Sequence, residues 1–298
     1  MPEQTHHLTT PFSESFTNLR DISLKSGLYL VATPIGNMRD ITLRALDTLK
    51  AADIVACEDT RVSGQFFIAL GMKKRLMPYH DHNADTQRPI ILQKIAEGQS
   101  IALISDAGMP LISDPGYKLV RECMAAGIYV TSLPGANAPL MALQLSGLPS
   151  DHFSFLGFLP QKTKARCDVL EKWKNVPSTL IVFESASRLE SCVADICSTL
   201  GNRPMALTRE LTKKFEDVWS GTTADILERL QKEGSPKGEI VLVIGQGNKE
   251  LVPEEHVDTL VLKAMSSMSL KEAVAHVAEA TGLPKKQVYQ RALMLKRE

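Results

Sequence analysis

Short apolar runs alternate along the first half of the chain with polar loops rich in Gly and Pro, and each loop leads into a stretch of helical spacing. Leu28-Tyr-Leu-Val-Ala32 is a continuous apolar run of the kind that a strand buried on both faces requires. It ends in Thr33-Pro-Ile-Gly-Asn37, after which Ile41, Leu43, Leu46 and Leu49 recur at roughly helical intervals. The unit repeats, with strands expected over 53–57, 76–79, 100–104 and 128–131 and helices over 66–70, 90–96, 117–126 and 138–145. Five such units predict a parallel sheet with helices on both faces.

Near Gly147-Leu-Pro-Ser150 the pattern resets. Strands are expected over 153–158, 179–183, 205–208, 217–220 and 239–244, and helices over 164–174, 188–200 and 223–232. The two strands flanking Thr212-Lys-Lys214 stand close enough in sequence to pair antiparallel, so this second sheet is expected to be mixed. Residues 245–253 read as a linker to three short helices over 257–265, 270–280 and 285–295, with Thr281-Gly-Leu-Pro284 as the turn of a helix-turn-helix-like module. The expected organisation is a poorly ordered extension over 1–26, an N-terminal α/β lobe over 27–147, a C-terminal α/β lobe over 148–247 and a helical module over 254–298.

Composition narrows the function classes without choosing one. With 298 residues, 44% hydrophobic and 23% charged, the chain reads as a globular protein of about two domains. No apolar run approaches the ~18 residues of a membrane span, and the first residues lack the basic and apolar segments of a secretory signal. The five cysteines, Cys57, Cys123, Cys167, Cys192 and Cys197, include no Cys-x-x-Cys pair, which disfavours a disulfide framework and a thiolate zinc site and points to a reducing cytoplasm. Thirty-four basic and 34 acidic residues cancel, so any nucleic-acid contact has to use local patches. Three such patches exist: Lys162, Lys164, Arg166, Lys172 and Lys174; Arg203, Arg209, Lys213 and Lys214; and Lys285, Lys286, Arg291, Lys296 and Arg297. Each can equally be a solvated surface.

The candidate chemistry lies in the loops that follow the first-lobe strands. Ser105-Asp-Ala-Gly-Met-Pro-Leu-Ile-Ser-Asp-Pro-Gly116 reads as a strand-to-helix loop, the place where open α/β sheets bind ligands. Glu58-Asp-Thr-Arg61 and His80-Asp-His-Asn83 supply carboxylates, imidazoles and a guanidinium, and Leu133-Pro-Gly-Ala-Asn137 supplies another tight turn. There is no Gly-x-Gly-x-x-Gly after a strand, no Walker A sequence, no His-Glu-x-x-His and no Gly-x-Ser-x-Gly, so nicotinamide, P-loop, zincin and hydrolase chemistry lack their usual signatures. His80 and His82 alone provide too few ligands for a metal, and none is expected.

Together with Gly157-Phe-Leu-Pro160 and Arg209-Glu-Leu-Thr-Lys213, these segments closely resemble the family of ribosomal RNA small subunit methyltransferase I, within the tetrapyrrole methylase-like superfamily. The resemblance runs from about residue 27 to the C-terminus. It implies a two-lobed α/β methyltransferase, usually a homodimer, that uses S-adenosylmethionine to methylate the ribose 2′-hydroxyl of cytidine 1402 (standard rRNA numbering) of 16S rRNA in the 30S subunit. The superfamily's cofactor loops fall on Pro34, Gly36, Asp106, Ala107, Gly108, Pro110, Pro134, Gly135 and Ala136. Met109, where the family usually has Thr, and Ala136-Asn137, where it usually has Pro and a small residue, depart from the pattern.

Residue type and strand-end position make Glu58, Asp59 and His80 the candidates for assisting the hydroxyl. Arg61, Asn83, Lys162, Arg166, Arg209, Lys213, Lys285, Lys286 and Arg291 are the candidate RNA contacts. Neither DNA nor a membrane is an expected partner. Two alternatives remain: a methyltransferase acting on a small molecule such as a tetrapyrrole, and a non-catalytic RNA-binding protein that has kept the fold.

Overall fold

The computed structural model describes residues 21–247, 254–281 and 283–296. The first lobe holds β1 (Gly27–Val31), α1 (Leu43–Ala51), β2 (Ile54–Cys57), α2 (Thr60–Ala69), β3 (Leu76–Pro78), α3 (Ala84–Ala96), β4 (Ser100–Ile104), α4 (Tyr117–Ala125), β5 (Val130–Leu133) and α5 (Ala138–Ser146). Its five strands are parallel in the order β3-β2-β4-β1-β5. Alternate residues serve the two faces. Val31, Val55 and Ile104 pack with Leu49 of α1 and Phe67 of α2, whereas Leu28, Ile54 and Leu103 pack with Ile91 of α3 and Leu119 of α4.

Two first-lobe helices start earlier than their apolar spacing predicts. Asp59 caps α2 by accepting a hydrogen bond from the Arg61 amide at 2.8 Å, which starts the helix at Thr60 rather than near residue 66. Helix α3 begins at Ala84 and carries Pro89 within it; its polar first turns show no apolar period but are tied down by Arg88, which pairs with Asp85 at 2.7 Å and Glu122 at 2.8 Å. Residues 21–26, read from sequence as the end of a loose extension, are a correction. Leu24 packs on the first-lobe core and the Lys25 carbonyl accepts a hydrogen bond from the Tyr29 hydroxyl. Residues 1–20 and the linker segment 248–253 lie outside the described residues.

The second lobe comprises β6 (Phe153–Phe158), α6 (Thr163–Trp173), β7 (Thr179–Ser185), α7 (Leu189–Leu200), β8 (Pro204–Arg209), β9 (Asp217–Thr222), α8 (Thr223–Glu233) and β10 (Glu239–Ile244). Its sheet runs β6-β7-β10-β8-β9, with β6 and β7 parallel and the other neighbours antiparallel, the mixed sheet expected. Leu180, Leu207 and Leu242 face Leu170 of α6, Ile196 of α7 and Leu230 of α8. The opposite face is covered from the first lobe. Ala142 and Leu143 of α5, and Ile35 of the loop after β1, pack on Ile181, Ala206 and Val243. Helix α5, first-lobe by sequence order, therefore packs on the second sheet and joins the lobes through a shared apolar core.

Helices α9 (Glu254–Met265), α10 (Leu270–Thr281) and α11 (Lys285–Leu295) bury a separate core that includes Val261, Val277 and Val288. Arg291 of α11 forms a two-pronged pair with Asp258 of α9, at 2.6 and 2.8 Å.

Candidate active site

Strand order puts a switch point at the carboxyl edge of the first sheet. The chain leaves β1 toward β2 and β3 on one side, and leaves β4 toward β5 on the other, while β1 and β4 lie side by side. The chain leaves these two strands toward opposite sides of the sheet, the place where open α/β folds bind ligands. The two loops are joined there by a two-way backbone bridge: the Thr33 amide donates to the Gly108 carbonyl at 2.9 Å, and the Gly108 amide donates to the Thr33 carbonyl at 3.1 Å. The Thr33 hydroxyl donates to the Ser105 carbonyl at 3.1 Å, and the Ser105 hydroxyl to the Gly108 carbonyl at 2.9 Å. Gly108 holds φ +81°, a conformation that L side chains rarely adopt.

The neighbouring loops close on this bridge. A Cβ on Gly135 would lie 2.5 Å from the Ala32 Cβ, so the turn after β5 reaches the end of β1 only because position 135 is glycine. On the other side the Asp59 amide approaches an Asp106 carboxylate oxygen at 3.4 Å. The second lobe joins through the turn between β8 and β9: a Cβ on Gly36 would lie 2.4 Å from Lys213 Cγ and 2.9 Å from Thr212 Oγ1. Leu111 (φ 72°) and Ser113 (φ 65°) in the first-lobe loop, and Glu210 (φ 50°) and Thr212 (φ 68°) in the second-lobe turn, are non-glycine residues in left-handed conformation. Such backbone persists where surrounding structure enforces it, which is common at ligand sites.

A cavity of about 470 Å³ opens at this edge, lined by Glu58, Asp59, Thr60, Arg61, Pro78, His80, His82 and Asp106. Electrostatics separate its carboxylates. Burial, followed by the charges of Asp106 and Asp81, raises Glu58 above the ordinary glutamate value. Asp59 is held down at about 2, because Arg61 reaches it through its guanidinium (2.6 and 3.1 Å) and its backbone amide. Asp59 thus stays ionised and committed to its cap, while Glu58 and, chiefly through burial, Asp106 are both raised and hold a proton more readily. His80 Nδ1 is buried with no hydrogen-bond partner, its ring 6.0 Å from that of His82. Asn83, expected to touch substrate, spends its side chain on the loop itself, accepting from the His80 amide at 2.9 Å and donating to the Pro78 carbonyl at 3.1 Å.

Sequence reasoning passed over Asp114. Burial, reinforced by Glu58 and Asp106, raises it to about 6. Its only signal in the sequence was a second Asp in the loop after β4, indistinguishable there from Asp106. A carboxyl raised in the folded state adds stability that is complete below its unfolded value, near 3.8, and is lost as pH rises through about 6. Asp114→Asn should therefore raise the melting temperature at about pH 8, by a gain on the order of 1 kcal/mol because solvent at the loop edge screens much of the shift. The gain should shrink as pH falls through 6 toward 4, and a gain independent of pH would contradict this account.

The profile of the tetrapyrrole (corrin/porphyrin) methylases matches residues 27–227, and that of the RsmI C-terminal HTH domain matches residues 250–296. A protein of Mesorhizobium japonicum named ribosomal RNA small subunit methyltransferase I is 48% identical over 92% of this chain and 93% of its own length. One of the same name from Escherichia coli O157:H7 is 45% identical over 89% and 94%. The chain belongs to the ribosomal RNA small subunit methyltransferase I family. Solved structures at lower identity share the fold alone: diphthine synthase (TM-score 0.57, 13% identity, 73% of this chain and 89% of that one) and uroporphyrin III C-methyltransferase of Thermus thermophilus (TM-score 0.51, 19%, 73% and 96%).

In this family member the basic positions singled out by sequence divide into two sets. Arg166 is a correction: its side chain is 2% exposed and pairs with Asp195 at 2.6 Å, so it lies beneath the surface rather than on an RNA-facing patch. Its place on the buried stripe of α6, four residues before Leu170, carried that signal. Lys213 is shared between Glu210 and Glu239 at 3.0 Å each, Arg209 donates to the Lys237 carbonyl at 2.6 Å, and Arg291 is held by Asp258. Lys162, Lys164, Lys285 and Lys286 are exposed. Among the described residues no helix is long and apolar enough to cross a membrane, and no cluster of three or more His, Cys, Asp or Glu could hold a metal ion.

Proposed function

We propose that the protein methylates the ribose 2′-hydroxyl of a cytidine of 16S rRNA, position 1402 in standard numbering, with S-adenosylmethionine as donor, acting on the 30S subunit in the cytoplasm as a homodimer. The observation that carries the reading is 48% identity over 92% of the chain to a ribosomal RNA small subunit methyltransferase I.

The residues present fit the cofactor in two respects. It carries a sulfonium and an ammonium cation, and the carboxyl edge of the first sheet gathers Glu58, Asp106 and Asp114. The loops there also converge closely, because Gly108 and Gly135 lack the Cβ that would meet Ile35 at 3.1 Å and Ala32 at 2.5 Å. Loops 34–36, 106–110 and 134–136 would hold it, with Asp106 as the charged partner. Bound there, it supplies a methyl group already activated by the sulfonium charge.

A ribose hydroxyl is a weak nucleophile at neutral pH, so the chain's own contribution is placement and proton removal. Glu58, raised by burial and by its acidic neighbours, takes the hydroxyl proton on its carboxylate. His80 bounds the same cavity, and Arg61, whose side chain is 90% exposed at the mouth, places a phosphate. Lys162, Lys164, Lys285 and Lys286 extend the phosphate contacts along the surface.

Incubation with labelled S-adenosylmethionine and either unmodified 30S subunits or a porphyrinoid precursor tests the reading. Label is expected on one ribose of 16S rRNA and not on the porphyrinoid; the reverse would transfer the chain to small-molecule methylation. The affinity for 30S subunits should fall steeply between about 50 and 200 mM salt, since each phosphate contact releases counterions. An affinity unchanged over that range would remove the phosphate track.

A further inference from the structure

We propose that Phe158 is a stacking platform for an unpaired nucleobase of the RNA substrate, carried on a loop that Arg166 and Arg188 hold in place. The proposal rests on the RNA reading above and adds the binding position of a base to it.

Phe158 ends β6 and is 59% exposed, although it is a large apolar side chain. Its ring is braced by Phe183, with centroids 5.4 Å apart, and Phe183 meets Phe155 at 4.9 Å. The backbone that follows is fixed from below. Arg188 donates to the Leu159 carbonyl at 2.7 Å and is itself paired at 3.0 Å with Glu184, whose side chain is fully buried. Arg166 faces the Pro160 and Gln161 carbonyls at 3.4 and 3.5 Å while pairing with Asp195. Arg166, 2% exposed, and the partly exposed Arg188 thus reach three successive carbonyls of one short loop. Such bracing holds the loop's path, so the exposed ring loses little freedom when something stacks on it.

Position and charge favour a nucleobase. Gly157 (φ +63°) lets the loop lie against the first lobe: a Cβ there would be 3.2 Å from the Ser113 hydroxyl, one residue before Asp114. Exposed Lys162 and Lys164 follow within a few residues and can take phosphates on either side of a stacked base. A ribose within folded RNA becomes accessible when its nucleotide is turned out of the helix, and the freed base then needs a π surface to replace its lost stacking.

The test compares wild type, Phe158→Ala, Phe158→Leu and Phe158→Tyr in single-turnover methylation of 30S subunits with cofactor saturating, and in binding a short single-stranded RNA containing pyrrolocytosine. Both Ala and Leu variants should raise the half-saturating 30S concentration about tenfold or more, and Tyr should restore it, because the loss tracks the π face rather than apolar volume. S-adenosylhomocysteine affinity and melting temperature should be unchanged in all three. Pyrrolocytosine fluorescence should be quenched by wild type and Tyr and not by Ala or Leu. A Leu variant equal to wild type in methylation overturns the platform and leaves the functional reading intact. A wild type that quenches pyrrolocytosine but never methylates 30S subunits overturns the functional reading and leaves the platform; a wild type that does neither overturns both. A Phe158→Ala protein that loses self-association together with methylation assigns the ring to contact with a second copy and overturns the proposal.

Discussion

Glu58→Gln should lower single-turnover methylation of 30S subunits by about 10²–10⁴-fold, the range over which a positioned general base contributes. Glutamine keeps the shape and much of the hydrogen bonding, so the affinity for S-adenosylhomocysteine and the melting temperature should change little. The pH dependence carries the sign. A base works as its carboxylate, so the wild-type rate should climb with pH and level off once Glu58 has lost its proton. Burial and the neighbouring Asp106 and Asp81 place that inflection above the ordinary glutamate value. The Gln variant should be slow and lack the inflection. Asp59→Asn should act differently, since Asp59 caps α2 and holds Arg61: its effect should fall mainly on binding and stability. Unchanged rates in both Glu58→Gln and His80→Ala, with RNA saturating, would withdraw the assignment of proton removal to this cavity.

Arg166→Met should destabilise the second lobe by about 3–5 kcal/mol, because it leaves the Asp195 carboxylate, 15% exposed, without its charge partner. The Pro160 and Gln161 carbonyls lose their donor in the same step. Replacing Asp195 by Asn in the same chain should recover part of the loss, since no unpaired buried charge then remains. The slope of 30S affinity against salt should stay as in wild type. The opposite pattern, a normal melting curve with a shallower salt slope, would return Arg166 to the RNA-facing surface where its residue type alone had put it.

Much of the architecture could be read along the chain because the apolar runs report local requirements. A strand buried on both faces has to look like Leu28-Tyr-Leu-Val-Ala32, and the ten strands and most of the eleven α-helices among the described residues stand within a few positions of the apolar patterns. The least accurate limits were those set by polar residues. Helices α2 and α3 begin with a cap and with ion pairs, which leave no hydrophobic period to detect. The loops of the candidate site were legible for a related reason: Gly108 and Gly135 are required by backbone conformation or close approach, and such requirements limit the residue type directly.

Tertiary structure alone decided three matters. It made α5 and Ile35 part of the second lobe's core, although they follow first-lobe strands. It gave Glu58 and Asp59, adjacent and chemically alike, opposite proton affinities, because one is partly desolvated beside the charges of Asp106 and Asp81 and the other lies against a guanidinium. It also separated Arg166, locked to Asp195 within the fold, from exposed Lys162 and Lys164 on the same stretch. Residue type sets what a side chain can do, and periodicity sets which element carries it. Burial and charge environment depend on groups distant in sequence, so only the folded chain determines whether an ionisable side chain binds a ligand, moves a proton or holds the structure together.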